Sequence, residues 1–114
     1  MGVLRANDVV THEIHGARFH SYVAPARGSA ELCAWRLEVP AGTTGVPHEV
    51  SREEVVLVLT GRLTATIAGV REELRPGDVA FVPAGASFGL DNGSGEPATA
   101  WVTTGVGLTA TLPD

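Results

Sequence analysis

The sequence predicts an all-β fold. Apolar residues recur in short runs with a period of two, glycine and proline punctuate those runs, and no window carries the period of an amphipathic helix. Strands are expected near 18–24, 31–39, 45–50, 54–60, 62–68, 71–75, 79–82, 86–91, 97–104 and 106–112.

Each expected element has a local reason. In 31–39, Cys33, Trp35, Leu37 and Val39 alternate with Ala34, Arg36 and Glu38, which gives one dry and one wet face. The turn Pro40-Ala41-Gly42 ends it, and 45–50 follows. The 54–60 run differs, because Val56 and Val58 share one face while Val55, Leu57 and Leu59 share the other, so both faces call for burial. In 62–68, Leu63, Ala65 and Ile67 alternate with Arg62, Thr64 and Thr66, and Ala68-Gly69 turns the chain into 71–75. Pro76-Gly77-Asp78 precedes 79–82, Pro83-Ala84-Gly85 precedes 86–91, and Asn92-Gly93-Ser94-Gly95 precedes 97–104. At the carboxyl end Val106, Leu108, Ala110 and Leu112 alternate with Gly107, Thr109 and Thr111.

A chain of 114 residues fits one domain, here 1–114, with no repeat and no linker. Apolar residues at 44% against 18% charged describe a globular chain rather than a disordered one. The net charge of −5, with scattered acidic residues, excludes the basic footprint of a nucleic-acid binder. No run approaches the roughly 18 apolar residues of a membrane span, so no membrane partner is expected. Cys33 has no cysteine partner within the chain, and MGVLRANDVV lacks a basic region followed by a long apolar one. The expected location is cytoplasmic.

Two glycine-framed stretches carry the functional signal. The first, 42–61, runs Gly42, His48, Val50, Glu54, Gly61; the second, 77–92, runs Gly77, Pro83, Gly85, Phe88, Asn92. This framing resembles the two motifs of the cupin superfamily, which implies a double-stranded β-helix, a jelly-roll barrel. The resemblance also implies a metal held by two histidines and a glutamate of the first motif and one histidine of the second. In this chain His48 and Glu54 keep their places, while Val50 and Phe88 stand where the other two histidines would be. Glu53 competes with Glu54 for the carboxylate position, and the six-residue interval to Gly61 favours Glu54.

Residues two apart on a strand share a face, so His48 and Val50 are expected to look into the barrel together, with Glu54 entering beside Val56 and Val58. A carboxylate among apolar side chains is costly to ionise, which suits His48 and Glu54 to acid–base work. Phe88, Val50, Val56, Trp35, Trp101 and Phe81 are expected to line a pocket for an apolar or aromatic small molecule. No metal is expected to be obligatory. His48 and Glu54 would need a third ligand for iron, manganese, nickel or zinc, and His20 is the first candidate, ahead of His12, His15, Tyr22 and Cys33. A solvent-exposed or structural role is the expectation for His12, His15 and His20. Arg18, Arg36, Arg62 and Arg71 are expected on wet faces.

The leading expectation is an isomerase, cyclase or lyase of small-molecule metabolism. The alternatives are a metal-dependent, dioxygenase-like enzyme and a non-catalytic small-ligand binder. A homodimer is expected through the doubly apolar 54–60 strand, which the resemblance to cupins supports.

Overall fold

A computed structural model describes residues 2–108 and the backbone at 110–111. Two antiparallel sheets face one another. The first has six strands, in the order β1 (Val10–Ile14), β2 (Ala17–Val23), β3 (Leu32–Val39), β10 (Ala98–Gly105), β5 (Glu54–Thr60) and β8 (Val79–Val82). The second has five, in the order β11 (Ala110–Thr111), β4 (His48–Val50), β9 (Ser87–Asp91), β6 (Leu63–Ile67) and β7 (Val70–Leu74). Short 3₁₀ turns at Ala6–Asp8 and Pro25–Arg27 are the only helical pieces among the described residues. The architecture is the jelly-roll barrel that the sequence predicts.

Alternation decides which side chains enter the barrel. On β5, Glu54, Val56 and Val58 are buried while Val55 and Leu59 are exposed. On β10, Ala98, Ala100, Val102 and Thr104 are buried, and their small or β-branched side chains let the opposite sheet approach. The register aligns Trp35 with Val102 and Val102 with Val56, so three strands present one continuous inner row. Leu63, Ala65, Leu74, Ala80 and Val82 fill the interior elsewhere.

Two framing residues are held for structural reasons. Gly61 has φ 76°, and a Cβ there would stand 2.7 Å from the Pro97 carbonyl oxygen and 2.8 Å from the Ala98 Cα, so glycine is required twice over. Asn92 is fully buried and fully bonded. Its Nδ2 donates to the carbonyls of Val39 (3.0 Å) and Glu96 (2.8 Å), while its Oδ1 accepts from the Ser94 N–H and hydroxyl. That side chain ties the end of β9 to the end of β3.

The chain departs from the sequence expectations at its ends. Residues 10–14 form a strand that the expected set omitted, paired with β2 through a two-residue turn at His15-Gly16 with φ 51° and 84°. The alternation over 106–112 is not one strand: Val106-Gly107 is a turn, only Ala110–Thr111 pairs with β4, and residues 109 and 112 lie outside the described residues. In 45–50 only His48–Val50 is strand. Among the described residues no helix is long and apolar enough to cross a membrane.

Candidate functional site

One end of the barrel holds a cavity of about 610 Å³, within the roughly 300–1,000 Å³ range of small-molecule sites. Its walls are mainly apolar: Phe19, Trp35, Leu37, Val56, Phe88 and Leu90 form much of them. His48 and Glu54 both line it.

His48 sits on β4 with its ring edge-on to Phe88, centroids 5.9 Å apart. Its Nδ1 lies 3.1 Å from the Val46 carbonyl oxygen. A carbonyl only accepts, so Nδ1 carries the proton in this bond, and a neutral ring keeps its lone pair on Nε2. The backbone carbonyl thus selects the Nδ1–H tautomer and leaves Nε2 as the nitrogen not tied to the loop.

Glu54 opens β5 and is only 6% exposed. Its Oε2 has no hydrogen-bond partner, and burial pushes its carboxyl up from the ordinary 4.5 to about 7. Glu53, the competing carboxylate, is exposed, and its carbonyl accepts a 2.7 Å bond from the Thr104 hydroxyl. Strand alternation therefore selects Glu54 as the inward acid.

The donor set does not fit the metal that the motif framing implies. Phe88 is buried against His48, and Val50 is 1% exposed inside the core; neither offers a lone pair. His20 is not a third ligand. It occupies the outer face of β2, where Nδ1 meets the Thr11 hydroxyl at 2.9 Å and Nε2 meets the Glu38 carboxylate at 2.9 Å. Arg36 joins the same carboxylate, and that pairing holds Glu38 below the ordinary carboxylate range. Among the described residues no group of three His, Cys, Asp or Glu side chains is placed to hold a metal ion.

The expected pocket residues divide. Trp35, Val56 and Phe88 line the cavity. Val50 shares the inward face but packs into the core without lining it. Trp101 and Phe81 belong to the outside of the first sheet. Trp101 alternates with inward Ala100 and Val102 and stacks on Tyr22 at 5.2 Å, while Phe81 is 51% exposed. A strand turns every second residue away from the lumen, and aromatic character does not override that parity.

His12 and His15 reach the cavity mouth, where exposed groups of the β1–β2 hairpin form part of the lining. Both are exposed, as the sequence led one to expect, but no strand was expected at 10–14 and so their approach to the cavity was not foreseen. The signal was present: Val10, His12 and Ile14 alternate, and a glycine follows at the end of the run.

Fold, cavity and motif frame together define a small jelly-roll protein with an open-mouthed cavity at one end of its barrel. Residues 35–104 match the cupin-domain family model, and the chain belongs to the cupin family. Among solved structures it is similar to the polyketide cyclase RemF from Streptomyces resistomycificus, with TM-score 0.86 and 20% identity over all of this chain and 86% of that one. It is also similar to a cupin-superfamily sugar phosphate isomerase from Silicibacter pomeroyi, with TM-score 0.82 and 20% identity over 98% of this chain and 82% of that one. At that identity the likeness is one of fold. A curated relative, the endoribonuclease YbeY of Myxococcus xanthus, is 35% identical over 71 residues, which are 61% of this chain. The match spans only 24% of that protein, about a quarter of its length.

Proposed function

We propose that this cupin is an acid–base enzyme of small-molecule metabolism, an isomerase, cyclase or lyase, working on a carbonyl compound held in the barrel cavity. The observation that carries the reading is the pairing of complementary groups in one apolar chamber. His48 offers a base at Nε2, and Glu54 offers a carboxyl that burial pushes up to about 7, so that an appreciable share stays protonated at neutral pH.

In this scheme the His48 Nε2 takes a proton from the carbon beside the substrate carbonyl. The Glu54 carboxylic acid donates to the carbonyl oxygen as negative charge develops there. Protonated His48 then returns its proton to the enol at another carbon, or to the oxygen formed as the enol closes onto a second carbonyl, or to a departing group, while Glu54 recovers its proton from the enol hydroxyl as the carbonyl reforms. Phe88, Val56 and Trp35 hold the substrate and keep water away, which strengthens both proton transfers. A cyclase and an isomerase among the structural neighbours support the class and do not choose within it.

The test is proton exchange rather than turnover of a named metabolite. The enzyme is incubated in heavy water with acetylnaphthalene, an enolisable aryl ketone, and deuterium at the methyl carbon is followed by NMR. Exchange catalysed by the wild type, lost in His48→Ala and Glu54→Gln, and unchanged by a chelator supports the reading. Exchange that vanished with chelator and returned with one added metal would overturn it.

We also propose that the protein is a homodimer. Val55 pairs with Phe81 and Leu57 with Val79 across the outer face of the first sheet, and Trp101 stands beside Leu57, which makes an apolar surface of the kind that a second copy covers.

A further inference from the structure

Among the described residues, two side-chain polar atoms are buried without a partner: Glu54 Oε2 and Trp35 Nε1. Both residues line the same cavity. Glu54 has a role in the proposed chemistry, and the indole N–H does not. A buried donor with no acceptor is an uncommon cost in a folded protein, and a native structure that keeps one usually has a use for it. Phenylalanine would give the same apolar wall at position 35 without that cost.

The charge of the lining narrows what the N–H could bind. The chain has no lysine, and none of its eight arginines lines the cavity. Arg36 is committed to Glu38 on the outer face, and Arg71 to Asp91. Among the described residues the only ionisable groups on the walls are His12, His15, His48 and Glu54, so these walls offer no fixed positive charge to a carboxylate or phosphate. Glu54 would oppose an anion further once ionised.

The inner row supplies the spacing. Trp35 on β3 lies two strands from Val56 on β5, roughly 10 Å by strand spacing, and Glu54 stands two residues before Val56 on β5. A small fused-ring compound spans that gap between the aromatic walls of Phe19, Trp35 and Phe88.

We infer that the cavity takes an uncharged, flat, ring-bearing compound with two oxygen functions, one accepting a hydrogen bond from the Trp35 indole N–H while the other meets Glu54. Trp35 is then a specificity-determining residue, selecting a carbonyl or ether oxygen over a bare hydrocarbon edge. The N–H is sealed from water in this arrangement, so the contact forms as the indole turns against Phe19, 6.0 Å away, when ligand enters. The inference rests on the cavity being the ligand site and adds the chemical class of what it holds.

The test uses the full chain and three acetylnaphthalenes that differ only in the substituent on the far ring, methoxy, ethyl or carboxylate, so that the acetyl oxygen is left to Glu54 and the far substituent to Trp35. Titrations are followed by the two indole N–H resonances, with Trp101 on the outer face as the internal control. The methoxy probe should move the Trp35 resonance downfield and leave Trp101 in place. It should bind about fivefold tighter than the ethyl probe, the scale of one net hydrogen bond, with the carboxylate the weakest. In Trp35→Phe the preference for methoxy over ethyl should fall to about one. An unmoved Trp35 resonance, a ratio near one in the wild type, an unchanged ratio in Trp35→Phe, or tightest binding of the carboxylate overturns the inference. If Trp35→Phe does not fold, the wild-type resonance and affinity ratio decide alone. The acid–base reading fails separately: ketone binding with this pattern but no α-proton exchange removes the catalysis and leaves the binding inference standing.

Discussion

His48 and Phe88 are direct partners across β4 and β9, and their rings meet edge to face at 5.9 Å. The aromatic ring stands where the motif frame would put a second-sheet histidine. It therefore turns a ligand position into a wall and leaves His48 with a hydrocarbon neighbour instead of an ion. Glu54, the buried acid that lines the same cavity, comes from the opposite sheet.

Restoring the two histidines should restore metal binding. Val50 and Phe88 are 1% and 4% exposed and lie on inward faces, so Val50→His with Phe88→His completes a set of three imidazoles and one carboxylate. Untagged double variant is expected to retain about one nickel or zinc ion per chain by elemental analysis, well above the wild type. A folded double variant with no more metal than the wild type would show that the lumen geometry, and not only the residue types, has changed.

Removing either proton carrier should collapse α-proton exchange. His48→Ala and Glu54→Gln are each expected to slow it roughly a hundred- to ten-thousandfold, the usual contribution of positioned acid–base groups. As the proposed acid, with a carboxyl that burial pushes up to about 7, Glu54 should give the wild-type profile a limb that falls as pH rises through that value. A profile with no falling limb there would remove Glu54 as the acid.

Glu54 should also leave a mark on stability. Its carboxyl titrates at about 7 when folded against an ordinary 4.5, so between those values the folded chain binds more protons than the unfolded one. Stability then declines as pH rises from about 4.5 and levels off above about 7, by an amount on the order of 3 kcal/mol. Denaturant midpoints measured across that window should show the decline in the wild type and its loss in Glu54→Gln. A midpoint independent of pH in the wild type contradicts the burial argument.

The outer face offers a test of assembly. Val79 and Phe81 are 54% and 51% exposed, beside Val55 and Leu59 at 36% and 41%. Phe81→Lys is expected to convert a dimer to a monomer by light scattering, with the fold and the cavity intact, since its side chain points away from the lumen. A wild type that is monomeric at high concentration ends the proposal.

Much of this molecule was legible without coordinates. The parity of β3 and β6 placed Trp35, Leu63 and Ala65 inside, the motif frame placed Glu54 and Val56 there, and the interval to Gly61 chose Glu54 over Glu53, as burial does. The first strand of the amino-terminal hairpin was missed because it is exposed along its whole length and its alternation rests only on Val10, His12 and Ile14, with a histidine between the two apolar residues. Trp101 and Phe81 were assigned inward on aromatic character, although the parity of their own strands places both outside.

The order of residues along the chain fixed the barrel, the framing glycines and the survival of one imidazole and one acid, because strand periodicity and turn chemistry are local properties. Only the folded chain decided that His20 faces outward to Glu38, that His12 and His15 reach the cavity mouth, and that Trp35 and Glu54 keep unpaired atoms in one chamber. Those facts depend on which strands become neighbours and how far their side chains reach, and contacts between residues distant in sequence are not written in the spacing of either.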